Sequence, residues 1–445
     1  MVSIADAVAR IKEDPRGAID ASVAEAVCRE LGLEWRETSL TPPVTLSLLC
    51  QQVLRGNVSN PELIRAAGLA VTPAAYCTAK GRLPLEAVEA MSRRVCDAAG
   101  RTAGELYRWK GHDTWHLDAT TTSMPDTPEL REAFGQPTGQ KVGCGFPMAH
   151  LLCLFGGLTG LIRDVVISPL YTGDLSKTPL IHPSLKPGAV VIADKAFGSF
   201  FHIAALHTRG VFGVFPSHQK RIVSFRPRRP FNARGAKPVK GRPTSKWVKR
   251  LGRDDQLVEY FKPGRRPEWM GAGEYERAPG SVVVREIRRK VRLDNGRTAV
   301  VVVVTTLTDP DKYPADEVVA LTKQRWAVEV NLRHLKTTMG MDVLRCQTVD
   351  GVKKEVWAYT LVYNLARVTM MEAAASQGVP LDRISFADAL YWMRYAKPGE
   401  KMPDLIVNPH RPNRLEPRTL KRRPKKYDWM TKPRAVLRKA LRRRR

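Results

Sequence analysis

The sequence predicts an α/β protein: a mixed β-sheet flanked by helices, interrupted by a basic β-rich insertion, with helical regions at both ends. Three observations carry this. The apolar period is helical over the first hundred residues, changes to strand-like runs from Thr114, and becomes helical again after Pro314. The strand-like runs come first as three in succession and then alternate with helical segments. Residues 189–193 (AVVIA) form a continuous apolar run, the mark of a strand buried on both faces. An antiparallel meander followed by alternating units makes a mixed sheet covered by helices.

Taken in order, residues 1–108 read as a helical N-terminal DNA-binding region. Within it, 61–67 and 73–80 read as two short helices around Gly68, with Lys80 and Arg82 placed for phosphates. Such a pair resembles a helix-turn-helix, but helix pairs with a glycine turn are also common packing units. Strands follow at 114–119, 151–155 and 161–168, a short helix at 179–185, the strand 189–193, a helix at 199–208 and a strand at 211–215. Residues 109–217 are therefore the first part of the core. Residues 218–310 are rich in Arg, Lys, Pro and Gly and include a hairpin, 282–293 and 298–307, turned by Asp294-Asn295-Gly296. One long helix is expected over 315–339, with Asp316 and Glu317 suiting its N-terminal dipole and Gly340 its end. Residues 311–345 complete the core, 346–400 form a helical region suited to dimerisation, and 401–445 form a flexible basic tail.

Composition narrows the partner. The chain has 445 residues and a formal net charge of +29. From Arg411 to Arg445 there are 16 Lys or Arg against Glu416 and Asp428, a net of +14, which leaves +15 for the rest. The folded part is itself basic, and a polyanion is the leading partner. Seven cysteines without a C-x2-C pair argue against a zinc finger or disulfide framework and fit a reducing, cytoplasmic setting with the nucleoid at hand. Residues 1–17 lack the long apolar core of a signal peptide, and the apolar run 148–162 is broken by Gly156, Gly157 and Gly160, so no membrane span is expected.

Three acids stand out. Asp118 closes one strand and Asp194 closes the run 190–193. Two such strands lying side by side bring like charges together, and such a pair needs a cation. Mg2+ prefers oxygen ligands from one or two carboxylates plus water and phosphate. Glu329 lies mid-helix with Arg325 four residues before it and Lys336 seven after, so a regular helix sets all three on one face. Singly, a strand-end Asp is usually a turn residue and a helix Glu among bases is usually a solvated ion pair.

Jointly, these residues resemble a family. Arg325, Glu329 and Lys336 match the spacing of the Tyr-x2-Arg-x3-Glu-x6-Lys signature of DDE-type transposases of the insertion-sequence-four family; Thr322 stands at the Tyr position. The stretch around Asp118-Ala119-Thr120, with Pro125-Asp126-Thr127-Pro128 and Phe134-Gly135, is similar to the family's first-aspartate region. Residues 190–197 (VVIADKAF) are similar to the second, with Lys195 after the Asp. The resemblance covers about 110–345. It implies an RNase H-like fold, Asp118, Asp194 and Glu329 as catalytic metal ligands, and two Mg2+ ions for which Mn2+ substitutes. It also implies DNA contacts from Arg325, Trp326, Arg333, Lys336 and Lys195. The implied activity is cleavage at transposon ends, through a hairpin in members with this signature, and strand transfer into target DNA. The partners are double-stranded DNA, as terminal inverted repeats and target, and a second copy of the chain in a synaptic homodimer. Trp326, or Trp247 or Trp269 of the insertion, could stack on an extruded base, core packing being the alternative for each. The competing functions are a stand-alone RNase H-like nuclease, a non-catalytic DNA-binding derivative and a helix-turn-helix regulator. No nucleotide-binding loop is present.

Overall fold

Thr114, where the period changes, opens strand β1 (Thr114–Ser123). The computed structural model of the chain describes residues 21–233, 235, 237–292, 298–396, 400–409 and 430–442. The expectations for the N-terminal residues 1–17, the turn Asp294-Asn295-Gly296 and most of the tail fall outside the described residues. β1 runs on beyond its expected end at residue 119, because the β-branched run Thr120-Thr121-Thr122 continues to pair with the next strand. Asp118 therefore lies in mid-strand rather than at a strand end.

β2 (Met148–Gly156) and β3 (Ile162–Pro169) complete the antiparallel meander. β4 (Val190–Ala193), buried at every residue, joins the other edge of β1 in parallel, and β5 (Phe212–Pro216) joins β4 in parallel. The order β3-β2-β1-β4-β5 with this mix of directions is an RNase H-like sheet. The basic stretch then adds strands to the same sheet. β6 (Lys246–Gly252), β7 (Asp255–Phe261), β8 (Ser281–Arg292) and β9 (Thr298–Thr305) are antiparallel neighbours, and β9 pairs with β5. Among the described residues the result is one nine-stranded sheet.

Helices cover both faces. Alternate residues of β4 define them: Val191 and Ala193 pack with the helix α8 (Phe200–Thr208), while Val190 and Ile192 pack with α10 (Ala315–Gln324). Before these come α1 (Ala21–Glu30), α2 (Pro42–Leu54), α3 (Asn60–Ala66), α4 (Pro73–Arg82) and α5 (Leu85–Ala103), then α6 (Pro128–Phe134) and α7 (Asp174–Ile181); α9 (Ala272–Arg277) follows β7. α3 and α4 are the expected short pair, turned at Gly68 with φ +62°. α12 (Val349–Gln377) is apolar nearly all round and is buried between α5, α2 and the outer face of the meander, with α13 (Phe386–Tyr395) beside it. N- and C-terminal helices thus share one core.

The expected single helix 315–339 is three pieces. α10 ends at Gln324, α11 spans Trp326–Arg333, and a π-helical turn spans His334–Thr338. At the join, Val328 N–H donates to the Arg325 carbonyl at 3.0 Å, a tighter closure than the α-helical one. In the π turn, Met339 N–H reaches five residues back to the His334 carbonyl at 2.9 Å. No helix among the described residues is long and apolar enough to cross a membrane.

Candidate active site

The site is built where β4 stops beside β1. Leu117 pairs with Ala193, so the next residue on each chain is an aspartate. Leu117 is in the core under α8, which turns Asp118 to the opposite face, toward α11. The half-buried Asp118 accepts a hydrogen bond from Ala119 N–H at 2.9 Å through Oδ1. Asp194 caps the short helical turn Lys195–Phe197 and accepts from Ala196 N–H at 2.9 Å. Glu329 is exposed on α11, and its Oε1 lies 3.5 Å from Nη2 of Arg325.

Burial raises the Asp118 carboxyl above the usual carboxylate range; the Ala119 amide and Arg325 oppose this, and Glu329 and Asp194 add to it. Asp194 and Glu329 thus each lie close enough to Asp118 for their charge to act on it. The three do not meet: among the described residues no three metal-ligating side chains lie around one point. The reason is local, because each aspartate is turned to its own following backbone and Glu329 to Arg325. The donor set of hard carboxylate oxygens suits Mg2+ or Mn2+, and a divalent cation between them would relieve the mutual repulsion that acts on Asp118.

The other expected residues divide. Arg325 sits at the helix break, beside both Asp118 and Glu329. Lys195 is exposed next to Asp194 and donates to Gln219 Oε1 at 2.7 Å. Lys336 falls within the π turn, where each residue advances less around the axis, so the straight-helix argument for a shared face with Glu329 does not hold. Arg333 lines a groove on another side of α11, about 1160 Å³ in volume, with Lys323, His334 and Arg367. The Trp326 side chain lies outside the described residues. Thr322, at the Tyr position of the signature, spends its hydroxyl on the Val319 carbonyl at 2.7 Å. Trp269 packs against the core beneath α8, and Trp247 is half-buried.

One residue escaped the sequence reading. His116 shares the Asp118 face of β1, is 1 % exposed, and has no protein partner for either ring nitrogen. Burial, and then Arg325, push its pKa down to about 4, so it is a neutral imidazole under Arg325. The strand period of two, counted back from Asp118, was the available signal.

Comparison with known proteins bears on this geometry. Residues 109–365 match the family model described as "Transposase DDE domain", a span that contains all three acids. The chain is 24 % identical over 377 residues to "Transposase InsG for insertion sequence element IS4" of Escherichia coli (strain K12), covering 80 % of this chain and 78 % of that one. It also aligns with a solved structure titled "Cryo-EM structure of piggyBac transposase synaptic complex with hairpin DNA (SNHP)". That alignment has a TM-score of 0.40 and 10 % identity, and covers 88 % of this chain and 80 % of that chain.

Proposed function

The chain belongs to the transposases with a DDE domain, and from that premise we propose that it cuts DNA at transposon ends and joins the freed 3′ ends to target DNA. The observation that supports this reading best is the approach of Asp118, Asp194 and Glu329 at one edge of an RNase H-like sheet, close enough for two of them to raise the third. Asp118 and Asp194 would hold metal from the sheet and Glu329 from α11. Divalent ions bound there, Mg2+ or Mn2+, would supply Lewis-acid stabilisation of charge for an in-line phosphoryl transfer.

The chain's own groups do the rest. β1 and β4 fix two carboxylates in a parallel register. Arg325 neutralises Glu329 until a phosphate competes for its guanidinium, which frees the carboxylate to turn inward. Lys195, next to Asp194, is assigned as a phosphate contact at the site. Lys336 in the π turn, Arg333 in the groove on another side of α11 and Trp326 at the start of α11 are assigned to DNA beyond it. Neutral His116, buried near Arg325 with both ring nitrogens unpartnered, offers the guanidinium an uncharged acceptor to turn to during that exchange.

The α3–α4 pair is assigned to DNA reading and residues 346–400 to protomer pairing. In the latter, α12 is buried in its own chain and α13 offers the exposed Tyr391 and Tyr395 instead. The deciding experiment is cleavage and strand transfer on duplexes carrying the element's ends, with Mg2+ or Mn2+. Wild type should cut and join, while Glu329→Ala should bind and do neither. Binding by both with cleavage by neither would favour a non-catalytic DNA-binding protein.

A further inference from the structure

The last described helix, α14 (Arg434–Arg442), is tied back to the catalytic core. Nη1 of Arg434 donates to Asp126 Oδ2 at 3.1 Å and to the Gly145 carbonyl at 3.0 Å, and its guanidinium lies 3.7 Å over the Phe146 ring. Asp126 is buried, with its side chain 4 % exposed, and is also held by Arg131 and Gln136. Pro433 rests on Gly143, where an added Cβ would lie 3.0 Å from the proline Cβ; with φ at +78°, a side chain there would be strained as well. A buried, charge-assisted contact of this kind fixes a helix start rather than brushing against it.

The place of attachment matters. The loop that holds Arg434 leaves from the end of β1, five residues beyond Asp118, or about 17 Å of strand at about 3.4 Å per residue. The same ground receives the exit of the catalytic helix: Leu344 N–H donates to the Ser123 carbonyl at 2.8 Å, Thr127 Oγ1 to the Gln347 carbonyl at 3.2 Å, and Val349 N–H to Glu129 at 2.9 Å. The platform under Arg434 is therefore shared by the strand carrying Asp118 and the segment following Glu329.

From it projects a helix with no acidic residue. Arg438, Lys439 and Arg442 are exposed on it, while Val436, Leu437 and Leu441 are exposed on a different side. We propose that α14 is a fixed clamp on the DNA backbone, with Arg434 as the half-buried pin and Arg438, Lys439 and Arg442 as the phosphate contacts. Charge complementarity selects the occupant: a run of cations without a carboxylate, mounted on the platform shared by the Asp118 strand and the segment after Glu329, fits duplex phosphates. This rests on the transposase reading only in supposing that duplex DNA passes the carboxylate edge.

The test is binding of the full-length chain to a short duplex of arbitrary sequence across a salt series, a readout that needs no cleavage. Arg438→Ala/Lys439→Ala/Arg442→Ala should flatten the log–log salt slope by about 2.7, at roughly 0.9 per contact. Arg434→Met removes a charge that faces Asp126 rather than DNA, yet should flatten the slope by clearly more than Lys432→Ala, an exposed neighbour with the same charge change. Equal effects of Arg434→Met and Lys432→Ala would overturn the pin. An unchanged slope in the triple variant, whose residues are exposed and whose folding is not at risk, would overturn the clamp. Loss of a solution dimer in Leu437→Ser/Leu441→Ser, together with an unchanged slope in the triple variant, would assign α14 to a second copy of the chain and overturn the clamp equally. Failure of cleavage with these slopes as expected would count against the catalytic reading alone.

Discussion

The two halves of the carboxylate site are built differently. Asp118 and Asp194 are carried by adjacent parallel strands whose neighbours are buried, and each is held by a backbone amide. Glu329 stands on a short helix with a break before it and a π turn after it, held by a single long contact to Arg325. The strand half is set by the sheet. The helical half is tied into no ladder of sheet hydrogen bonds, and π turns recur at functional sites. Under the proposed function, a rigid pair plus an adjustable third group would let a metal site close only when DNA has arrived.

This contrast can be broken by experiment. The largest effect should come from lengthening a strand-borne acid. Asp118→Glu or Asp194→Glu should lower the cleavage rate more than about a hundredfold, because a displacement of about 1 Å at a fixed site can cost that much. Arg325→Ala should cost about 10–100-fold, as loss of a group that orients a ligand does, and Arg325→Lys should restore part of it in single-turnover cleavage. Shortening the helix-borne acid, Glu329→Asp, should cost only about tenfold, since α11 can advance to compensate. A larger loss for Glu329→Asp than for Asp118→Glu would reverse the assignment of rigid and adjustable halves.

Smaller effects sharpen the comparison from outside the site. Buried Glu355 on α12 accepts from the backbone N–H groups of Arg345 at 2.9 Å and Cys346 at 2.8 Å and from Asn57 Nδ2 at 2.6 Å, so it joins the N-terminal helices to the segment that follows α11 and the π turn. Glu355→Gln should lower stability by about 1.5–3 kcal/mol, read as a shift in Tm, and should leave the strand half of the site unchanged. The stacked pair His182 and His202, ring centroids 5.2 Å apart, lies beneath the Asp194 turn, where His202 bonds to the Phe197 carbonyl. Burial drives their pKa values down to about 3 and about 4. The unfolded chain therefore binds more protons, and stability should fall as pH drops from about 6.5 toward 4. His182→Phe should keep the ring stack and make the fall in Tm over that window shallower.

How much of this was legible in the sequence follows the same division. The apolar run 189–193 and the Asn-Gly hairpin signal led directly to β4 and to the pairing of β8 with β9. The meander appeared in its expected order. The strands β6 and β7 were not visible: β6 reads KWVKRLG, too charged and too little alternating to separate from loop. The break at Arg325 and the π turn were hidden as well. Helical periodicity is nearly the same on either side of them, and the distortion depends on how the pieces pack against β1 and α12. The partial burial that perturbs Asp118 and the isolation of His116 could be seen only once Arg325 was placed over β1.

The shared core of α5, α2 and α12 also orders events in time. Residues 85–103 and 42–54 cannot cover their apolar faces until residues 349–377 have left the ribosome. The sheet likewise stays open at β5 until β9, made about 90 residues later in the chain, docks on its edge. Contacts so distant in sequence make folding slow, and the partly made chain keeps sticky surfaces exposed. The chain thus becomes complete as a fold only after all three acids have been translated.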